Sequence, residues 1–471
     1  MQHFLDSMIS VTNDFLWSKI LVILLIACGL YFTVRSKFVQ FGMFKEMFRV
    51  LKGSNERSKD SISSFQAFCI SMAARVGTGN ITGIAIAIAI GGPGAIFWMW
   101  VIAIIGSASG FIESTLAQVY KVKDKTGFRG GPAYYMEKGL NKRWMGAIFA
   151  VLITLSFGLV FNAVQSNTVT VAFENSFGTN RAILGLVIAA AFALVIFGGV
   201  KRIARMSEYI VVVMAGIYIG AALIIMLINI TELPGVFALI VKSAFGFEQV
   251  AGGSFGAVIL QGVKRGLFSN EAGMGSAPNA AATATTSHPV KQGLMQALGV
   301  LTDTLLICSS TAFIILLSDA YKQPGLDGIK LTQAALSEHI GSWASGSLAI
   351  MILLFAFSTL IGNYYYGETN IEFLNSNKKV LLFYRYSVLA MIIFGSVAKV
   401  QLVWDLADLF MGFMVIVNLI AILLLSKVAF AALKDYKRQK REGKDPVFYK
   451  DSIEGLENVE CWENSSDIKT L

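Results

Sequence analysis

The sequence predicts an all-α polytopic membrane protein of eleven transmembrane helices, two of which are discontinuous. Composition is the first observation: 55% of the residues are hydrophobic, 15% are charged, and the mean hydropathy is +0.64. Soluble domains are far less apolar. The second observation is that apolar runs long enough to cross a bilayer recur along the chain. The third is that polar, glycine-rich stretches interrupt two of these runs.

Apolar windows of about 20 residues define the predicted spans. They lie at 16–35, 62–90, 93–120, 145–173, 181–200, 206–229, 250–282, 292–318, 345–372, 379–397 and 402–432. The residues before the first run carry no Lys or Arg, unlike the cationic start of a signal peptide, and the run is followed by further spans. We therefore expect a retained first helix and a transmembrane domain over residues 1–434.

The positive charges of the connecting loops predict the orientation of the chain. Short cytoplasmic loops carry an excess of Lys and Arg, and here every second loop is the richer one, beginning with the loop after the first span. This alternation places the N-terminus outside and the C-terminus in the cytoplasm. The formal net charge of +9 comes from these scattered loops, so it does not indicate a nucleic-acid partner.

The last segment, residues 435–471, follows the eleventh predicted span. It is first basic and then polar and acidic, and it shows no regular apolar period. Such a composition predicts a flexible cytoplasmic tail.

The first interruption lies at residues 73–84, where Gly77, Thr78, Gly79 and Asn80 break an apolar run. In hydrocarbon, backbone groups freed from a helix are tolerated only where they line a cavity or are buried in protein. Free N–H groups at the start of the second half suit a carboxylate, and carbonyls before the break suit a cation. The alternative is a glycine-rich helix crossing, which the two-residue glycine spacing disfavours. The break therefore predicts a binding site made of backbone.

The second interruption lies at 261–278 in the seventh predicted span and is rich in charged residues. Charges are costly in lipid, so they should face protein or a wet cavity. The broken helices are the second and seventh spans, so the ten spans after the first divide into two sets of five, 62–229 and 250–432, with opposite orientations. Discontinuous helices at matching positions of an inverted repeat indicate the substrate site of a secondary transporter.

Four motifs, in order, resemble the alanine or glycine:cation symporter family of bacteria and archaea. They are R-V-G-T-G-N-I-T-G at 75–83, G-G-P-G-A-I-F-W-M-W at 91–100, F-R-G-G-P-A-Y-Y at 128–135 and F-S-N-E-A-G-M-G-S-A-P at 268–278. The resemblance covers about 16–432. It implies a LeuT-type fold with one extra helix, in the cell membrane of a prokaryote. It also implies uptake of a small neutral amino acid with sodium, or in some members with protons. We expect a functional monomer and no cofactor beyond the coupling ion.

The expected substrate site combines both breaks. Backbone N–H groups of the first break are expected to bind the carboxylate, and carbonyls released near Phe268, Ser269 and Asn270 to accept the ammonium. Phe268 and Met274 are expected to wall the side-chain pocket, although such residues in membrane helices also serve in packing. Among the polar residues of the fourth span, we expect Gln165 to face the substrate; the alternative is a hydrogen bond to a neighbouring helix.

The expected sodium site follows from the resemblance. Ser358 and Thr359 bring two hydroxyls to membrane depth in the ninth span. In LeuT-type folds, hydroxyls at this position join carbonyls of the first broken helix, which here are those of Ala73 and Val76. Sodium, like other hard cations, prefers oxygen ligands. The alternative is that both hydroxyls bond back to carbonyls of their own helix.

Asn363 departs from the family pattern, in which Trp precedes the paired tyrosines. A smaller amide in place of an indole enlarges the expected pocket and adds a hydrogen-bond donor and an acceptor. This favours a longer polar substrate such as glutamine over strict selectivity for alanine and glycine.

The charged residues beside the breaks allow several interpretations. We expect Arg75, Lys264, Arg265 and Glu271 to include a structural salt bridge that ties the broken helices together. The alternatives are a gate, or a proton carrier at Glu271 in a proton-coupled symporter.

Other classes of function find less support in the sequence. The chain contains no G-x-x-x-x-G-K-[S/T] and no H-E-x-x-H, so a primary pump or a zinc enzyme is not expected. The four cysteines lie far apart with no C-x-x-C, which indicates neither a zinc site nor a disulfide framework. A sensor that binds an amino acid without transporting it remains an alternative.

Overall fold

The computed structural model describes residues 2–54, 62–124, 127–197, 200–246 and 255–465, with only the backbone described for 2–6, 200–212 and 214. The first helices are α1 (2–35), α2 (Val39–Gly42), α3 (Phe44–Lys52), α4 (Ser64–Arg75), α5 (Gly79–Gly91), α6 (Ala95–Val119), α7 (Pro132–Leu140), α8 (Arg143–Phe177) and α9 (Arg181–Ile196). The others are α10 (Val200–Ile228), α11 (Leu233–Ala244), α12 (Phe255–Asn270), α13 (Ala277–Ala281), α14 (Pro289–Leu316), α15 (Gly328–Ile340), α16 (Trp343–Leu374), α17 (Lys378–Val397) and α18 (Val400–Arg441). One antiparallel hairpin, β1 (Val122–Asp124) and β2 (Gly127–Arg129), follows α6.

Seven of the described helices are long and apolar enough to cross a membrane: α1, α6, α8, α14, α16, α17 and α18. Two bent pairs raise this number to nine, α4 with α5 and the end of α10 with α11. The predicted eleven also counts α9, which has only 16 residues, and the seventh predicted span, whose start lies outside the described residues. The multi-pass helical architecture is therefore confirmed, whereas the number eleven and the inverted repeat stay predictions.

The interior of the bundle is built around α6 and α14, which pack against each other. In α14, 83% of the span window is buried within the protein, against 28% in α17. Helix α6 also contacts α1, α12 and α18, while α16 packs on α4 and α8. Both broken helices consequently lie among interior helices, where freed backbone groups can find protein partners.

The first broken helix is interrupted where the sequence predicts. Helix α4 begins with a capping box, in which Ser63 Oγ accepts from the Gln66 amide at 3.1 Å while Gln66 Oε1 accepts from the Ser63 amide. It ends at Arg75, since Val76 has an extended conformation with ψ of 90°. The chain resumes as α5 at Gly79 with a bend of 48° between the two halves.

The second broken helix is interrupted by three residues with positive φ angles. Helix α12 ends at Asn270, and Glu271, Gly273 and Gly275 follow with φ of 58°, 80° and 85°. Glycine adopts this conformation without steric cost, whereas it is uncommon for a residue such as Glu. The chain then forms the short helix α13.

The two breaks touch each other. A Cβ atom placed on Gly79 would lie 3.0 Å from Cδ1 of the Phe268 ring and 3.3 Å from the Ser269 Cα. Helix α16 approaches as closely, since a Cβ on Gly362 would lie 3.0 Å from the backbone nitrogen of Ala74. The absence of a side chain at both glycines thus allows the close approach of the two broken helices and α16.

The segment after α18 lies against one end of the bundle, which we call the tail face. Phe448, Leu456 and Val459 are buried there, and Trp462 donates its indole N–H to the backbone oxygen of Gln118 at 3.0 Å. The sequence predicts a flexible tail from 435 onward, but α18 continues to Arg441 and the following residues take a defined course to residue 465. The difference arises because a few irregularly spaced apolar residues anchor a mostly charged segment.

Candidate functional site

The first break frees carbonyl groups that another helix then contacts. In an unbroken helix the carbonyl of Ala73 would accept from the amide of Gly77, but that amide is directed elsewhere. The hydroxyl of Thr359 on α16 donates instead, with its oxygen 2.9 Å from the Ala73 oxygen and 3.3 Å from the Val76 oxygen. Three oxygens of the expected sodium site therefore lie together.

Ser358 adopts the alternative arrangement. Its hydroxyl donates to the backbone oxygen of Phe355 in its own helix at 2.8 Å, which is the back-bonding that serine often makes in helices. Thr359 Oγ1 also lies 3.0 Å from the same Phe355 oxygen. Both hydroxyls therefore bond back to their own helix, but only that of Thr359 also reaches the carbonyls of the break.

The freed amides of the first break donate to neutral side-chain oxygens. The Gly77 amide donates to Asn80 Oδ1 at 2.9 Å, and the Thr78 amide donates to Gln165 Oε1 at 3.2 Å. The structure thereby places Gln165 at the break through a hydrogen bond to a neighbouring helix, and its expected contact with the substrate stays a prediction. An incoming carboxylate oxygen could take the place of either amide oxygen and receive a charge-assisted hydrogen bond.

Asn80 also links the two breaks through an acid that the sequence analysis did not select. Its Nδ2 donates to Ser269 Oγ at 2.8 Å and to Asp303 Oδ1 at 2.6 Å, while Ser269 Oγ donates to Asp303 Oδ2 at 2.7 Å. All three side chains are buried. Asp303 could have been found from the sequence, because an isolated carboxylate within an apolar span is costly and commonly functional.

A second acid that sequence reasoning missed holds the second break. Glu113 on α6 accepts from the amides of Gly273 and Gly275 at 3.2 and 3.1 Å, and from Asn418 Nδ2 at 2.9 Å. The amides of this break are thus satisfied by a resident carboxylate, whereas those of the first break face neutral oxygens.

Asn270 and Met274 belong to the second break itself. Asn270 Oδ1 accepts from the Ala272 amide at 3.0 Å, and its Nδ2 donates to Thr304 Oγ1 at 3.2 Å. Met274 is fully buried, and its amide donates to the Glu271 carbonyl. These contacts shape the turn around the site.

Phe268 stands in a row of aromatic rings beside the first break. Its ring centroid is 4.7 Å from that of Phe161 and 4.7 Å from that of Trp404. Phe161 in turn lies 4.5 Å from Phe157, whose ring is 5.4 Å from Tyr366. The row provides an apolar wall that extends from α16 to α18.

Asn363 is completely buried, and among the described residues neither its Oδ1 nor its Nδ2 has a hydrogen-bond partner. It lies four residues after Thr359 and three before Tyr366, so the three side chains project from the same face of α16. The hydroxyl oxygen of Tyr366 also has no partner among these residues. Buried polar groups without partners are costly, and a polar ligand would satisfy them.

The charged residues do not form the predicted salt bridge between the broken helices. Arg265 Nη2 and Lys264 Nζ both bind Asp408 Oδ2 on α18, at 2.5 and 2.9 Å. The Arg265 guanidinium also stacks over the Trp404 ring, 4.7 Å from its centroid. This cluster therefore joins α12 to α18, and it adjoins the aromatic row.

Arg75 and Glu271 differ in their hydrogen bonding. Glu271 Oε2 accepts from Ser276 Oγ at 2.5 Å. Arg75 is 2% exposed, and within the described part of the chain no group hydrogen-bonds its three side-chain nitrogens. Its positive charge lies close enough to the buried side chains of Glu113, Glu271 and Asp303 to attract them.

Comparison with known proteins supports the predicted resemblance. Residues 2–450 match the model of the sodium:alanine symporter family. The chain is 73% identical over its full length, and over 98% of the relative, to the probable sodium/glutamine symporter GlnT of Bacillus subtilis. It is 57% identical to the amino-acid carrier protein AlsT of the same organism, over 98% of this chain and 99% of AlsT.

Two further relatives are more distant. A sodium/proton-dependent alanine carrier protein of Bacillus sp. strain PS3 is 40% identical over 86% of this chain and 95% of its own. The crystal structure of a manganese transporter mutant of Eremococcus coleocola superposes with a TM-score of 0.50 over 83% of this chain and 85% of its own. At 16% identity the latter likeness concerns the fold alone. The chain is a multi-pass membrane transporter that belongs to the sodium:alanine symporter family.

Proposed function

We propose that this protein is a secondary active symporter that imports glutamine together with sodium by alternating access. The observation that carries the proposal is the first break, which presents carbonyl oxygens of Ala73 and Val76 on one side and amides of Gly77 and Thr78 on the other. A cation and a carboxylate can therefore bind to the same short stretch of backbone, residues 73–78.

Sodium is the proposed coupling ion at the carbonyl side of the break. The carbonyls of Ala73 and Val76 and the hydroxyl oxygen of Thr359 supply three oxygens, and rotation of the Ser358 hydroxyl would add a fourth. A cation here would fix the carbonyls before the break and so orient the amides after it. Binding of sodium would thereby increase the affinity of the site for the substrate carboxylate.

Glutamine is the proposed substrate because of Asn363. Its unpartnered amide can donate to and accept from a side-chain carboxamide, and the Phe161 and Phe268 rings can cover the methylene groups between. The relative named as a probable sodium/glutamine symporter supports this substrate. Carbonyls released around Phe268 and Ser269 would accept hydrogen bonds from the ammonium.

The proposed transport cycle uses the cluster of Lys264, Arg265 and Asp408 as a closure on the face opposite the tail face. The distribution of Lys and Arg in the loops supports an outward position for that face and a cytoplasmic position for the tail face. One sodium carried with a zwitterion moves one positive charge, which provides about 2.3 kcal/mol per 100 mV of membrane potential.

Uptake of labelled glutamine, alanine and glycine into proteoliposomes tests the proposal. With an inward sodium gradient we expect accumulation of glutamine above the external concentration, and more of it when the interior is negative. Binding of an amino acid without accumulation would favour a non-transporting sensor. Equal uptake of alanine and glutamine would contradict the assignment of glutamine that is based on Asn363.

Proton coupling is the second candidate, favoured by the buried acids Asp303 and Glu271 and by the relative named as a sodium/proton-dependent alanine carrier. The same vesicles with a proton gradient and no sodium distinguish the two. Uptake driven by protons alone, and lost in Asp303→Asn, would favour this candidate over sodium coupling.

A further inference from the structure

A separate set of contacts lies at the tail face, away from the substrate site. We propose that residues 445–463, which we call the strap, hold the tail-face ends of the two broken helices together and slow the opening of the substrate site toward that face. The proposal rests on the alternating access proposed above, because only a site that opens to this face needs such a closure.

The broken helices meet at the tail face through backbone contacts. Ile62, just before α4, pairs with Ala284, just after α13, and the Thr285 amide donates to the Ile62 oxygen at 3.1 Å. Ser64 Oγ donates to the Thr285 oxygen at 3.0 Å. These bonds must break before the first turn of α4 can move away from the loop at 282–288.

One end of the strap binds that loop directly. The Phe448 amide donates to the Ser287 oxygen at 2.9 Å, and Ser287 Oγ donates to the Pro446 oxygen at 3.0 Å. The Phe448 ring packs edge-to-face on the His288 ring with 5.3 Å between centroids, and Phe448 is 2% exposed. Movement of the loop would therefore expose a buried aromatic ring and break two hydrogen bonds.

The other end of the strap reaches the same loop through α6. Trp462 donates its indole N–H to the Gln118 oxygen, and Gln118 Nε2 donates to the oxygens of Ala281 and Ala284 at 2.5 and 3.0 Å. Lys121 lies between the two, with its Nζ 4.9 Å from the centroid of the Trp462 ring and 3.0 Å from the Ala284 oxygen. The loop is thus held from two sides.

The two ends of the strap form one unit. The Lys450 amide donates to the Glu463 oxygen at 2.9 Å, which closes the intervening residues into a loop. Phe448 and Trp462 consequently stack edge-to-face with 5.2 Å between ring centroids. Loss of either ring should therefore loosen the other.

The strap is distinct from the transport machinery. Among the described residues its hydrogen bonds go to the tail face and none reaches either break. Trp462 also lies beyond residue 450, where the match to the family ends. We therefore expect the strap to change the rate of opening while leaving the affinity for substrate unchanged.

Alkylation of Cys69 measures this opening. Cys69 lies on α4 within two turns of the closing contacts and is 2% exposed. The experiment uses the full-length protein in detergent, with Cys461→Ser as the parent, a membrane-impermeant maleimide, and mass spectrometry of the Cys69 peptide. Trp462→Ala and Phe448→Ala are each expected to raise the alkylation rate about threefold or more, as for a local opening made easier.

Glu457→Ala is the matched control, because Glu457 is an exposed strap residue, and its rate should equal that of the parent. Thermal unfolding of each variant distinguishes local opening from general instability. Parental Cys69 rates in both aromatic variants, or a faster rate only in proteins that also unfold at lower temperature, would overturn the proposal. The alkylation rate is measured without transport, so the two proposals can fail separately. Faster alkylation in the aromatic variants, with no sodium-driven uptake by the parent, would refute the proposed function but still support the role of the strap in closing the tail face.

Discussion

Thr359 on α16 donates its hydroxyl hydrogen to the carbonyl of Ala73 on α4, with 2.9 Å between the oxygens. The break makes this bond possible, because the Gly77 amide that would otherwise pair with this carbonyl donates to Asn80. The contact therefore joins α16 to the backbone of the first break, where both sodium and the amino acid are proposed to bind.

Thr359→Ala should weaken the dependence on sodium. Removal of the hydroxyl takes one of three converging oxygens from the proposed cation site, so the sodium concentration for half-maximal glutamine uptake should rise about tenfold or more, which corresponds to about 1.4 kcal/mol. The maximal rate should change less. Ser358→Ala should raise this sodium concentration less, since the Ser358 hydroxyl would reach the cation only after turning away from the Phe355 carbonyl. An unchanged sodium requirement in Thr359→Ala would remove Thr359 from the site.

Asn363→Trp should change the substrate preference from glutamine to alanine. The indole would fill the space proposed for the glutamine side chain and remove the amide that pairs with it. We expect glutamine uptake to fall about a hundredfold, as for a lost pair of buried hydrogen bonds, while alanine uptake is retained or gained. Competition of unlabelled glutamine and alanine for labelled substrate measures both. Full glutamine transport by this variant would contradict the assignment.

Asp408→Asn should destabilise the contact between α12 and α18. The change leaves Lys264 and the buried Arg265 without their shared carboxylate, and loss of one partner of a buried ion pair costs about 3–5 kcal/mol. The unfolding temperature of the purified protein should fall by several degrees. Asp405→Asn, a change one turn earlier in the same helix, should have a much smaller effect. Equal unfolding temperatures for both variants would show that the cluster adds nothing to stability.

The tail face should lose stability in mild acid because of His288. Burial lowers the pKa of this histidine below its usual 6.5, although Asp435 and Asp445 oppose the shift and Lys291 adds to it. The unfolded chain therefore binds the proton first, so that folding stability is lost as the pH falls from about 6.5 toward the lower value in the folded state.

The measurement for His288 is the unfolding temperature between pH 7.5 and pH 5.5. His288→Asn should flatten this pH dependence, since Asn does not titrate yet can still cap α14 in place of the ring nitrogen that accepts from the Val290 amide. An identical pH dependence in the variant and the parent would exclude His288 as the cause.

Both helix breaks could be predicted from the sequence, because glycine and polar residues inside an apolar run disturb the helix locally. Polar residues within an apolar span also selected Gln165, which the structure brings to the first break. Family resemblance supplied the pairing of Thr359 with Ala73 and Val76. Such inferences depend on residues near each other in the chain or on a known pattern.

The partners of the charged residues could not be predicted, since they are set by packing between distant segments. Arg265 binds Asp408, 143 positions later in the chain, and Glu113 binds amides 160 and 162 positions away. The strap was missed for a related reason. Phe448 and Trp462 do not belong to a regular hydrophobic pattern, so their role becomes visible only when the surface against which they pack is known.

The carboxylate of Glu113 would give the proposed substrate site a direction. If the amides of both breaks were free, an amino acid would find two binding sites for its carboxylate. It could then bind in two opposite orientations. Because Glu113 already accepts from the amides of the second break, only the amides of the first break would remain for the substrate carboxylate. A zwitterion should thus enter in a single pose, with its side chain always presented to the same wall, and selectivity among amino acids becomes possible.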